Sequence, residues 1–212
     1  MNFLNKLTKC SALIIGLTLS VNAMADAASD LKEKLSNINT FEAQFSQSVL
    51  DEQGNVLQQG TGKIALAHPL KIYWQQVQPD ETLFVSDGDK TYYYDTFAEQ
   101  VTVMNTASLI DTTPFVLLTS RAQEQWAKYQ VTQTEGGYQI TPNDGVESQV
   151  EMLEIEFSDN NNLQEVRVKD VSGQVSSFIF SDAKLNNLLA TDLFSFIIPK
   201  GVIVDDQTQS EL

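Results

Sequence analysis

The 212-residue chain carries one histidine, His68, in the stretch AHPLKIYWQQVQPDETLFVSDG, beside Pro69 and six residues before Trp74. Imidazole is the side chain best suited to acid–base work near neutral pH, so the chemistry open to His68 is the first question. A Ser–His–acid centre needs an activated serine, and no serine stands in a G-x-S-x-G turn. A zinc site needs several His or Cys ligands, and the only cysteine is Cys10, far upstream. Asp87-Gly88-Asp89 has the opening of a calcium loop but lacks the later ligand spacing and the closing glutamate; it reads as a hairpin turn. The 28 acidic residues could furnish a glycosidase pair, yet no spacing brings two of them together. These residues predict no enzyme, no metal and no cofactor.

The elements around His68 suggest a different use. In TGKIALAH, strand alternation puts Ile64, Leu66 and His68 on one face; Pro69 breaks the ladder, and Leu70, Ile72 and Trp74 share the next face. With both faces turned inward, His68 sits at the rim of an apolar concavity. A lone histidine bonded to a loop carbonyl is the competing reading. Upstream, Asp30 and Glu33 have the spacing of a helix cap and its N3 partner, with Ser29 as the other candidate, and Leu31, Leu35 and Ile38 recur at helical spacing. FEAQFSQSV then switches to period two. Strands alternate with the turn signals DEQGN, SDGDK, EGGY, SDNNN and VSGQ. VEMLEIEF places Leu153, Ile155 and Phe157 opposite Glu154 and Glu156, the pattern of an antiparallel sheet with one wet face.

One helical interruption lies between a strand ending near Met104 and one starting near Lys128. Thr113 can cap it, Pro114 fits its first position, and FVLL is almost purely apolar. Ser120 and Gln123 offer a capping box for a second short helix bearing Trp126. The fold class predicted is mainly β: one strongly curved antiparallel sheet, an incomplete barrel, with helices as a lid over an apolar cavity.

The start of the chain has the form of an export signal. Lys6 and Lys9 precede the apolar SALIIGLTLSV, and Ala23-Met24-Ala25 matches a small-x-small cleavage site. Residues 1–25 are therefore expected to be a signal peptide and 26–212 the single mature domain. That apolar run is too short to span a bilayer. Cys10 precedes it, whereas an acylated cysteine would follow it. Removing two lysines and no acid takes the formal charge from −15 to −17, which disfavours nucleic acid and anionic lipid surfaces and suits a basic protein partner.

HPLKIYW followed by QPDETLFVSDG, then TPFVLL, and near the end PKGVIVDDQ, resembles the LolA family of periplasmic lipoprotein carriers over nearly the whole mature chain. The resemblance implies an incomplete barrel of about eleven strands with a helical lid. It also implies a monomeric chaperone that takes acylated lipoproteins from an inner-membrane ABC transporter of the LolCDE type to the outer-membrane receptor LolB. Ile72, Trp74, Phe115 and Leu118 are the expected acyl contacts. His68 stands where the family usually carries an arginine that ties the lid to backbone carbonyls. It is accordingly expected to be the lid latch, donating one or two bonds near TTPFVLL and tightening the lid as pH falls. The alternative is a lipid- or lipoprotein-sensing module of the RseB type, which a large second domain would favour.

Overall fold

The computed structural model describes residues 22–109 and 118–209. The first element is α1 (Asn22–Ser36), followed by β1 (Thr40–Leu50), β2 (Val56–Ala67), β3 (Lys71–Gln78), β4 (Thr82–Asp87), β5 (Lys90–Asp95) and β6 (Gln100–Asn105). A 3-10 turn at Thr106–Leu109 leads toward α2 (Gln123–Trp126). The second run comprises β7 (Tyr129–Gln133), β8 (Gly137–Pro142), β9 (Val150–Phe157), β10 (Leu163–Asp170) and β11 (Val175–Leu185), with β12 (Ile203–Asp206) last. All twelve strands form one sheet, ordered β12-β6-β5-β4-β3-β2-β1-β11-β10-β9-β8-β7, open between β12 and β7. The incomplete barrel is thus present.

Two features depart from expectation. The sheet has one strand more than the family resemblance implies, and that strand, β12, pairs with β6 in parallel. The other neighbouring strands run antiparallel, as hairpin-rich sequence dictates. The five turn signals all fall between paired neighbours, and at Gly54, Gly88 and Gly173 the backbone has positive φ, which favours glycine. In the SDGDK turn the Asp87 carboxylate accepts the N–H groups of Asp89 and Lys90, both at 2.8 Å, so this acid is engaged by its own hairpin.

The helix start is corrected. α1 runs from Asn22, so Asp30 lies in its body rather than at its cap. Asp30 instead accepts a hydrogen bond from the Tyr138 hydroxyl on β8, tying the helix to the sheet. Burial and this carboxylate together push the Tyr138 phenol well above its usual range. Ser120 does not cap α2 either: the cap position is Ala122, and Ser120 Oγ accepts the Ala122 N–H at 3.3 Å. Trp126 lies on this short helix as expected and is buried, its indole N–H donating to the Ser120 carbonyl at 3.0 Å. Thr113, Pro114 and Phe115 lie outside the described residues.

The core forms where the inward faces meet α1. Ala27, Leu31 and Leu35 pack with Phe41, Ala43, Phe45, Ile64 and Leu66 of β1 and β2, and with Tyr138, Ile140, Leu153 and Ile155 across the sheet. Alternation in both sequences dictates this meeting. A second, smaller apolar layer lies on the opposite face, where Val85 and Val101 are buried. There the segment after β11 crosses the strands, burying Phe194 and laying Phe196 against Tyr92 and Tyr94, with ring centroids 5.4 and 6.0 Å apart.

Candidate functional site

Beyond the helix-covered core, the inner face of the sheet continues into a cavity of about 470 Å3. Its floor is Ile72 and Trp74 from β3, Phe84 from β4 and Phe178 from β11. Register explains the convergence: Trp74 faces Phe84, and Phe84 faces Tyr93 on β5, so one inward row crosses three strands. The rings of Phe45, Trp74 and Phe178 interlock, Phe45–Trp74 at 4.1 Å and Trp74–Phe178 edge-on at 5.1 Å. Phe45 reaches Trp74 because Gly62 lies opposite it on β2; a Cβ there would sit 2.5 Å from the Phe45 ring. The rim is polar, with Gln47, Gln58 and Gln76 beside Asp80 and Asp95.

A second locus lies where α1, the end of β2 and the segment before α2 meet. His68 follows β2, past its last residue Ala67, and its backbone N–H donates to the Asn39 carbonyl at 3.1 Å. Leu118 and His68 line a narrow apolar space with Leu35, Phe41 and Leu66. The imidazole lies against the backbone of Thr119 and Ile38, and its buried Nδ1 has no geometric hydrogen-bond partner among the described residues. Burial first, and then the Arg121 charge, hold the ring below the ordinary histidine range, although the Thr119 and Ile38 backbone groups pull the other way. Arg121 crosses the same junction: its Nη2 donates to the Ser36 carbonyl at 3.1 Å and to Asn39 Oδ1 at 3.0 Å.

The expected site residues therefore separate. Ile72 and Trp74 share the aromatic cavity; Leu118 and His68 share the junction under α1, and Phe115 lies outside the described residues. Sequence reasoning missed Phe84 and Phe178 as cavity residues and Phe45 as the ring behind Trp74, although alternation in TLFVSD, SSFIF and FEAQF carried the signal. Nothing in the spacing marked Arg121, whose role depends on three segments meeting.

Comparison with known proteins agrees with this architecture. Residues 36–197 match the family model described as "Outer membrane lipoprotein carrier protein LolA". An outer-membrane lipoprotein carrier protein of Pseudoalteromonas translucida is 53% identical over 200 residues, covering 94% of this chain and 96% of that one. Its counterpart in Shewanella sediminis is 39% identical over 199 residues, covering 93% and 95%. Among solved structures, MucB superposes with a TM-score of 0.50 at 14% identity, covering 84% of this chain and 66% of MucB, a likeness of fold. With a family match over most of its length and relatives similar end to end, the chain belongs to the LolA family of outer membrane lipoprotein carrier proteins.

Proposed function

We propose that the protein is a periplasmic chaperone that shelters the acyl chains of lipoproteins released from the inner membrane and delivers them to the outer membrane. The aromatic cavity carries this reading: about 470 Å3 with an apolar floor stays open beside the helix-covered core. Each buried methylene contributes roughly 0.8 kcal/mol, so three acyl chains anchor a lipoprotein by tens of kcal/mol, and passage through water requires comparable cover. The cavity is about three times the ~150 Å3 that accommodates a benzene, room for part of that load, so full loading requires the cover to lift.

The proposed cover includes Leu118, and Phe115, outside the described residues, is proposed as a further acyl contact. His68 and Arg121 clip it to the α1–β1 junction: His68 against the Thr119 and Ile38 backbone, Arg121 through Ser36 and Asn39. A guanidinium has five fixed donors and an imidazole at most two, so the arginine is the stronger of the two ties. The donor membrane's partner is an ABC transporter of the LolCDE type, and the receptor is LolB. Residues 1–25 act as the cleaved export signal.

An apolar fluorescent probe should bind the purified protein and be displaced by acylated peptide. Phe84→Asp, at a partly exposed cavity position, should weaken probe binding at least tenfold while leaving circular dichroism intact. Unchanged probe binding in the folded variant would remove the cavity from the account. Mass spectrometry of molecules retained from periplasm separates the carrier from the sensing module: acylated polypeptides support the first, free lipids the second.

A further inference from the structure

The net charge is −15, yet one cleft collects cations. It lies between the end of α1 and the segment 120–126, has a volume of about 360 Å3, and is distinct from the aromatic cavity. Lys32 enters from α1, Arg121 from the facing segment, and His68 closes one end. Ser120 and Gln123 add polar groups, and among the described residues no aspartate or glutamate lines it. Glu33 and Glu124 adjoin these residues in sequence but do not line the cleft. Lys32 Nζ stands 5.7 Å from the centroid of the Trp126 ring, so the helix cation is placed over the cleft's aromatic wall.

Like charges gathered in this way repel one another, and in an acidic protein they would ordinarily be neutralised by nearby carboxylates. Here the described lining residues supply none. A volume of 360 Å3 holds roughly a dozen waters at about 30 Å3 each, enough for a headgroup-sized anion with some hydration. The planar fork of arginine matches tetrahedral oxyanions, and lysine adds a point charge beside it.

We propose that this cleft binds a phosphate-class oxyanion, free phosphate or the phosphodiester of a lipid headgroup, between Arg121 and Lys32. Because Arg121 also bonds Ser36 and Asn39, occupancy bears on the α1–β1 junction. An anion there offsets the Arg121 charge at His68, and the groups facing that imidazole are Arg121, Lys32 across the cleft, and the Thr119 and Ile38 backbone.

The experiment uses the whole exported chain and two soluble probes, inorganic phosphate and glycerophosphoglycerol, with sodium chloride at matched ionic strength as reference. NMR signals of the Lys32, Arg121 and His68 side chains are followed at fixed pH. Saturable shifts with a dissociation constant of about 1 mM are expected, weakened about tenfold in Lys32→Gln and in Arg121→Gln. His68 is the sole histidine, so its ring signals are unambiguous, and its titration should move to higher pH with glycerophosphoglycerol, whose diester does not itself titrate there. Binding of both probes supports a shared phosphate site, and binding of the headgroup alone assigns it to lipid. Shifts reproduced by chloride overturn the proposal. So does Lys32→Gln binding as tightly as wild type, and that variant leaves the Arg121 bonds in place should Arg121→Gln fail to fold.

Discussion

His68 shows how environment sets the sign of a residue's effect. The reading from sequence has protonation adding a donor and tightening the lid. Burial and the nearby Arg121 instead disfavour the charged ring, so the folded-state value lies below the ordinary one. When the folded state binds its proton less readily than the unfolded state, stability is full above the ordinary histidine range and falls as pH drops through it. Acidification should therefore loosen the junction, and probe uptake should be faster at pH 5 than at pH 7. His68→Leu should abolish that dependence. Faster uptake at neutral pH would support the tightening model instead. Gly62 makes a second prediction at this scale. A methyl group there meets the Phe45 ring and the Gln75 carbonyl, so Gly62→Ala should destabilise the protein by about 1–3 kcal/mol and reduce probe binding, read by urea titration and fluorescence.

Among the elements, β9, β10 and β11 are tied on their outer face by one arginine. Arg167 donates to Glu154 and Glu165 at 2.7 Å and also to Glu156, while Ser177 donates to Glu165. Burial by itself would push the Glu165 carboxyl up, but bonds from Arg167 and Ser177 carry it below its usual range. Its contribution is therefore present above the ordinary carboxylate range and lost as pH falls through the depressed value. Arg167→Met should cost about 1 kcal/mol at pH 7, since the pairs are partly solvated, and the deficit should shrink in acid. A deficit independent of pH would assign the cost to lost packing. The segment that crosses the outer face near β3 and β4 contributes more: Phe194→Ala removes a ring only 5% exposed, and about 3–5 kcal/mol should be lost.

For the whole molecule, charge governs encounters more than folding. If the proposed receptor or transporter offers a basic docking surface, a formal −15, or −17 with the proposed signal removed, should speed association with it. Association rate constants measured by stopped flow should fall several-fold between about 10 mM and 200 mM salt, as the screening length shortens from about 30 Å to under 10 Å. Rates independent of salt would leave the acidic surface to solubility alone.

Local patterns were enough to determine the strands, the hairpins and the inward rows of β1, β3 and β9, because alternation and turn chemistry act over a few residues. Quoted motifs carried the family, and Ile72 and Trp74 were legible as neighbours on one face. The parallel docking of β12, the second apolar layer beneath Phe194 and the separation of Leu118 from Trp74 depend on which distant segments meet, and no local pattern encodes that. The start of α1 eluded the cap signal because Asp30 answers to Tyr138, 108 residues away. Likewise, the sequence displays His68, but only the fold brings Arg121 beside it, and a charge's effect on a neighbour depends on their separation in space.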